Sequence, residues 1–158
     1  MARWKAVNWT RYHSLLTCLA EQGHEVFVLQ PPSLDLKETS FREVQVELPP
    51  NLHLIDVEIP GWLWRLKTPL EKLVKKGLYC LISLRVARRL TRDHAIDVLF
   101  LYNIPQFPNM RLPVRTKVFD YADDYVAMLA HELDPYQNSI TMSIGEGILK
   151  SMVSKIDH

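Results

Sequence analysis

Three carboxylates lie within five residues at Asp120-Tyr121-Ala122-Asp123-Asp124. They follow Lys117-Val118-Phe119-Asp120, which reads as a short strand. Carboxylates this close repel one another when all are ionised. One can then keep its proton near neutrality and serve as acid or base. The bland reading is capping: Asp123 or Asp124 starts a following helix and favours its positive end. A second group stands near the N-terminus, at Asn8, Trp9, Arg11 and His13. Arg11 near a helix start, beside orphan backbone N–H groups, suits a diphosphate or an acidic acceptor. Trp9 offers a stacking face, or else anchors a core. His13 is expected as a surface residue of the helix. Tyr102-Asn103 ends another apolar run and could line a cleft, although Asn103 is equally a turn residue.

These groups need strands that end together. The segment Trp9 to Pro32 supplies a helix, a turn and a strand. Tyr12, Leu15, Leu16, Leu19 and Ala20 recur at the spacing of one apolar helix stripe. Asn8 or Thr10 can cap its start, and Gly23 stands where a left-handed residue ends a helix. Val26-Phe27-Val28-Leu29 is an unbroken apolar run, which fits a parallel strand buried on both faces. Parallel α/β sheets hold ligands at the carboxyl ends of their strands.

Further along, Val44, Val46 and Leu48 alternate with polar residues, and Leu52, Leu54, Val57 and Ile59 suggest another strand. Together they read as a two-strand insertion. Pro69 to Arg92 turns helical, with Gly77 as a possible break. Val98 to Tyr102 is a second candidate parallel strand, ended by Pro105 and Pro108. Asp124 to Ala130 and Ser139 to Ser154 read as helices. Helices alternating with apolar strands indicate a three-layer, Rossmann-like α/β domain with a mainly parallel sheet. A strand before the first helix is normally central in such a sheet, and Arg3 to Val7 is a weak candidate for it.

The wording of the first unit carries a resemblance. Trp9, Arg11, His13 and Leu15, followed by Leu19-Ala20 and Gly23-His24-Glu25-Val26, resemble the first helix and second strand of GT-B fold glycosyltransferases. The match is to the large retaining group, family 4, that includes sucrose and mannosyl transferases. Val118, Asp120, Asp123 and Asp124 are similar to a motif that follows a strand in many of these enzymes and faces the cleft. The resemblance implies that 1–158 is a single N-terminal, acceptor-side domain, half of a GT-B fold, without the second, nucleotide-sugar-binding domain. It implies that Val26–Leu29, Val98–Tyr102 and Lys117–Asp120 are neighbouring parallel strands. Asp120, Asp123 and Asp124 become catalytic candidates. Asn8, Trp9, Arg11, Tyr102 and Asn103 become substrate-binding candidates, with Trp9 stacking on a sugar ring. One departure stands out: the loop at Asn8–Arg11 lacks the glycine pair of many family members, which puts direct pyrophosphate cradling in doubt.

Composition sets the outer limits. The chain has 158 residues, 47% apolar and 23% charged, enough for an ordinary core. A net charge of +1 gives no global drive toward nucleic acid. Cys18 and Cys80 are expected as buried free thiols in a reducing compartment. No apolar run is long enough to span a bilayer, and Met1 to His13 has no signal-peptide core. Scattered histidines and the absence of a Cys-x-x-Cys make a metal site unexpected, and no cofactor motif is present. The segment Trp62 to Arg92 is distinct. It holds nine Lys or Arg residues and one acid, Glu71. Trp62 and Trp64 beside Lys72, Lys75 and Lys76 fit a membrane-facing surface at an anionic bilayer. A solvated helix with its tryptophans in the core fits as well.

The resulting expectation is a cytoplasmic chain, peripheral at the inner membrane face. It serves transfer of a sugar from a nucleotide-diphospho-sugar donor to a glycan or lipid-linked acceptor hydroxyl. It is inactive alone, and it needs no metal and no nucleic acid. The alternatives are a subunit of a split, two-chain transferase and a non-catalytic Rossmann-type binding module.

Overall fold

The computed structural model describes residues 4, 10–30, 47–64, 71–102, 104–120, 127 and 139–156. The chain divides into two compact units, Met1–Arg65 and Leu66–His158.

In the first unit, α1 (Arg11–Glu21) starts at Thr10, whose extended backbone makes it the N-cap. Its end is fixed by Gly23, at φ +91°. Gly23 N–H donates to Ala20 O and His24 N–H to Leu19 O, which closes the helix with a paired terminal turn. The chain then enters β1 (Val26–Gln30), which pairs in parallel with β2 (Leu52–Asp56). Val26 opposes Leu52 and Gln30 opposes Asp56. Asn51 clasps the unit together. Its Nδ2 donates 2.7 Å bonds to Ala20 O and His24 O, and its carbonyl accepts from Val26 N–H. Ala20, Leu52, Val57 and Ile59 are buried here. A short helix, α2 (Gly61–Trp64), follows.

The second unit begins with α3 (Glu71–His94). Tyr79, Ser83, Leu84 and Ala87 are buried, at the spacing of one helix face. Ala95 ends the helix at φ +48°, a left-handed conformation that costs a non-glycine residue about 1 kcal/mol. Next come β3 (Val98–Leu101), a 3-10 helix (Ile104–Arg111) and β4 (Thr116–Phe119). β3 and β4 pair in parallel, from Val98 opposite Thr116 to Leu101 opposite Phe119. The last helix, α4 (Ser139–Val153), closes the core. Leu101, Met110, Phe119 and Met152 form that core, with Leu99, Phe107, Ile148, Leu149 and Ile156 packed around it.

The α/β class with parallel strand pairs is as expected. Several particulars differ. The expected adjacency of Val26–Leu29 with Val98–Tyr102 and Lys117–Asp120 holds only between β3 and β4. Among the described residues the strands form two separate two-stranded sheets. β2 is no insertion, because it is the parallel partner of β1. Local alternation cannot distinguish the two, since pairing is non-local. β2 stops at Asp56, and Leu48 lies outside any strand; Val44 and Val46 lie outside the described residues. α3 runs through Gly77 without a break, because one glycine weakens a helix without removing a hydrogen bond. β1 is half-buried along Val26–Leu29, with Gln30 its buried residue. Cys18 is exposed and Cys80 half-buried, and both are free, so burial of both thiols does not hold. On α1, Ala20 is buried and Tyr12, Leu16 and Leu19 are half-buried as the stripe requires, but Leu15 is 41% exposed and His13, expected at the surface, is buried. His13 takes the inner place because both ring nitrogens find partners there.

Candidate functional site

The carboxyl ends of the two parallel pairs carry the polar side chains expected of an α/β site. In the second unit the ladder extends one step past the strands: Asp120 N–H donates to Leu101 O at 2.8 Å. Asp120 and Tyr102 therefore leave adjacent strand ends, and both are half-buried. Tyr102 N–H donates to Gln106 Oε1 at 2.8 Å. Gln106 belongs to the 3-10 helix that follows β3. The Gln106 side chain thus supplies the acceptor for the first N–H after β3. Tyr102 also lies within electrostatic reach of Tyr79 on α3. Burial pushes the Tyr79 phenol well above its usual range, with Tyr102 and Cys80 adding to the shift.

That shift has a consequence for stability. The folded state prefers the neutral phenol, so the Tyr79 contribution is fully present below the unfolded value of about 10. It is lost as pH rises above that value. Urea unfolding at stepped alkaline pH should show wild-type stability falling with a Tyr79 contribution of about 1.4 kcal/mol per pH unit. Tyr79→Phe should remove that contribution and leave the other tyrosines to titrate. Parallel alkaline curves for the two proteins would refute the assignment.

In the first unit the carboxyl ends belong to Gln30 and Asp56. Gln30 Nε2 donates to Asp56 Oδ1 at 2.7 Å, and Gln30 Oε1 accepts Trp4 N–H at 3.0 Å. The Trp4 carbonyl accepts from His13 Nε2 at 3.0 Å. His13 Nδ1 accepts Thr10 N–H at 3.0 Å, so Nε2 is the ring nitrogen that donates. Thr10 Oγ1 is 2.9 Å from the same Nδ1. The Trp4 and His13 rings pack with centroids 4.3 Å apart. A continuous polar chain thus joins the end of β2 to the cap of α1. Arg11 is the first residue after that cap. It is exposed, its guanidinium donates to Tyr12 Oη at 3.1 Å, and it lies over the Tyr12 ring.

Asp120 and Tyr102 come together at one sheet end as expected, and Arg11 stands at a helix start as expected. Asn8, Trp9, Asn103, Asp123 and Asp124 lie outside the described residues. Trp62 is 71% exposed, so it is no core anchor. Trp64 lies in α2, and Lys72, Lys75 and Lys76 lie in the first turns of α3. Among the described residues no group of His, Cys, Asp and Glu is arranged to hold a metal. Sequence reasoning passes over Trp4, Gln30, Asp56 and Gln106. A polar residue ending an apolar run, as Gln30 does, is the available signal. No family model, no curated protein and no solved structure matches this chain.

Proposed function

We propose that this chain is the acceptor-side half of a GT-B glycosyltransferase, with a sugar transferred from a nucleotide-diphospho-sugar to an acceptor hydroxyl. The observation that carries the reading is Asp120 at the carboxyl end of β4, beside Tyr102 at the end of its parallel neighbour β3. Val118, Asp120, Asp123 and Asp124 keep the spacing of the family motif at that place. On this reading Asp120 handles the acceptor proton, and Tyr102 lines the acceptor's approach. The donor's diphosphate needs charge stabilisation as the bond breaks. On this reading a donor-binding second half supplies that stabilisation, and Arg11, at the start of α1 in the first unit, is a separate anion-binding candidate. The free thiols of Cys18 and Cys80 support a reducing, cytoplasmic compartment. Among the described residues no helix is long and apolar enough to cross a membrane.

The reading requires β1–β2 and β3–β4 to belong to one sheet, which an NMR map of cross-strand contacts decides. For activity, the purified chain is incubated with labelled sugar nucleotides and with glycan and polyprenyl acceptors. The expected result is no turnover, with acceptor-induced shifts at the Tyr102 and Asp120 amides. Turnover by the isolated 158-residue chain overturns the half-enzyme claim. Silence of both amides with every acceptor overturns the acceptor assignment.

A further inference from the structure

α3 presents a second chemical surface, independent of the transferase reading. Leu81, Arg85, Arg88, Arg89 and Arg92 are all exposed. At 100° per residue they share an arc of roughly 100°, opposite Tyr79, Ser83, Leu84 and Ala87. From Leu81 to Arg92 the row is about 16 Å long. Leu81 is 66% exposed, an apolar side chain at one end of a cationic row. Asp93 is the acid at the other end. It pairs with Arg92 at 2.9 Å and Arg89 at 3.6 Å. Arg85 and Arg88 have no partner among the described residues. The helix dipole accounts for Arg92 and His94 in the last turn, since cations there meet the negative end. It does not account for Arg85 and Arg88, because the effect fades beyond that turn.

We infer that the Leu81–Arg92 face of α3 docks on an anionic lipid surface. The charges are complementary to headgroup phosphates, and arginine forks bind phosphate in two-point fashion. Arginine stems are apolar, so they lie along the interface with Leu81 while the guanidinium groups meet the headgroups. α3 does not cross the bilayer but lies on it. Leu81 and the four arginines carry this surface among the described side chains. A nucleic-acid surface is disfavoured, because no aromatic side chain lies on this arc to stack with bases.

The test is co-sedimentation of the full chain with phosphatidylcholine vesicles, with and without phosphatidylglycerol, at low and high salt. Binding should require phosphatidylglycerol and fall with salt. Each arginine contributes about fivefold near an anionic surface, so Arg85→Gln with Arg88→Gln should lower partitioning about 25-fold. Arg85→Lys with Arg88→Lys should retain most of it. Leu81→Gln should weaken binding at every salt concentration alike. All three sites are exposed, so unfolding curves of the variants should match wild type. Equal binding to both vesicle types, or an unchanged double glutamine variant, overturns the inference. So does tighter binding of a duplex or single-stranded oligonucleotide than of the anionic vesicles at matched salt.

Discussion

Leu101→Ala should destabilise the protein by about 2–5 kcal/mol. Leu101 is 1% exposed and lies at the centre of the core formed with Met110, Phe119 and Met152. Removing its side chain forfeits burial of the lost carbons and leaves a cavity. The surroundings cannot collapse easily, because three separate elements and the 3-10 helix meet there. A domain is held by only about 5–15 kcal/mol, so this loss is a large fraction of the whole. Val98→Ala is the control. Val98 sits in the same strand but is 54% exposed, and its truncation should cost about 0.5 kcal/mol or less. Urea unfolding of both variants separates burial from strand propensity. Equal losses at the two positions would show that Leu101 is not the packing centre. The functional stake is direct, because Leu101 O accepts from Asp120 N–H and so positions the proposed acid–base group.

Much of this architecture is legible from local pattern. The turn at Gly23 is legible because a single residue type satisfies the left-handed conformation and the paired carbonyl bonds together. β3 is legible as a parallel strand because Val98–Leu101 is an unbroken apolar run, and β4 as a short strand because Val118-Phe119 leads into the Asp120 cluster. α3 is legible as a helix because its apolar period persists for several turns. What local pattern cannot carry is partnership. Leu52–Asp56 alternates in a way that suits a strand of an insertion and a strand paired with β1 equally. The choice rests on Asn51, whose side chain bonds to Ala20 O and His24 O. Read alone, that residue is only the end of Pro-Pro-Asn.

The candidate site divides the same way. Asp120 and Tyr102 are legible because a strand's carboxyl end is a defined place and both follow apolar runs. His13 is misread for a physical reason: an imidazole at a helix start resembles a surface group unless both nitrogens have partners in view. Its partners are backbone groups of Trp4 and Thr10, which have no side-chain signature. The arginine row is illegible for a similar reason. A charge tally counts every cation of the segment alike, and only burial along α3 shows that Arg85, Arg88, Arg89 and Arg92 share an exposed face.

Gln30→Leu should cost about 1–3 kcal/mol, although leucine is nearly the same size and more apolar. Gln30 is 7% exposed and makes two bonds, one to Asp56 Oδ1 and one from Trp4 N–H. Leucine makes neither. Asp56 is exposed and can turn to water, so its loss is small. Trp4 N–H is the more costly group, because a half-buried donor that loses its acceptor is only partly compensated by water. The hydrophobic gain of leucine offsets only part of this at a site walled by polar neighbours. Glu25→Gln is the comparison at the opposite end of β1. It removes the exposed Glu25–His53 pair, and it should cost less than about 1 kcal/mol. Thermal unfolding of the two variants decides the matter, and equal shifts would mean that the polar chain contributes no more than a surface contact. A second readout follows from connectivity. Gln30 holds Trp4, Trp4 holds His13, and His13 holds the Thr10 cap directly before Arg11. Gln30→Leu should therefore loosen the first turn of α1, seen as faster amide exchange at Thr10 with the Asn51 clasp and the Gly23 turn unchanged. Unchanged exchange at Thr10 would mean that Arg11 is positioned by α1 alone, and that the anion site proposed there does not depend on the strand end.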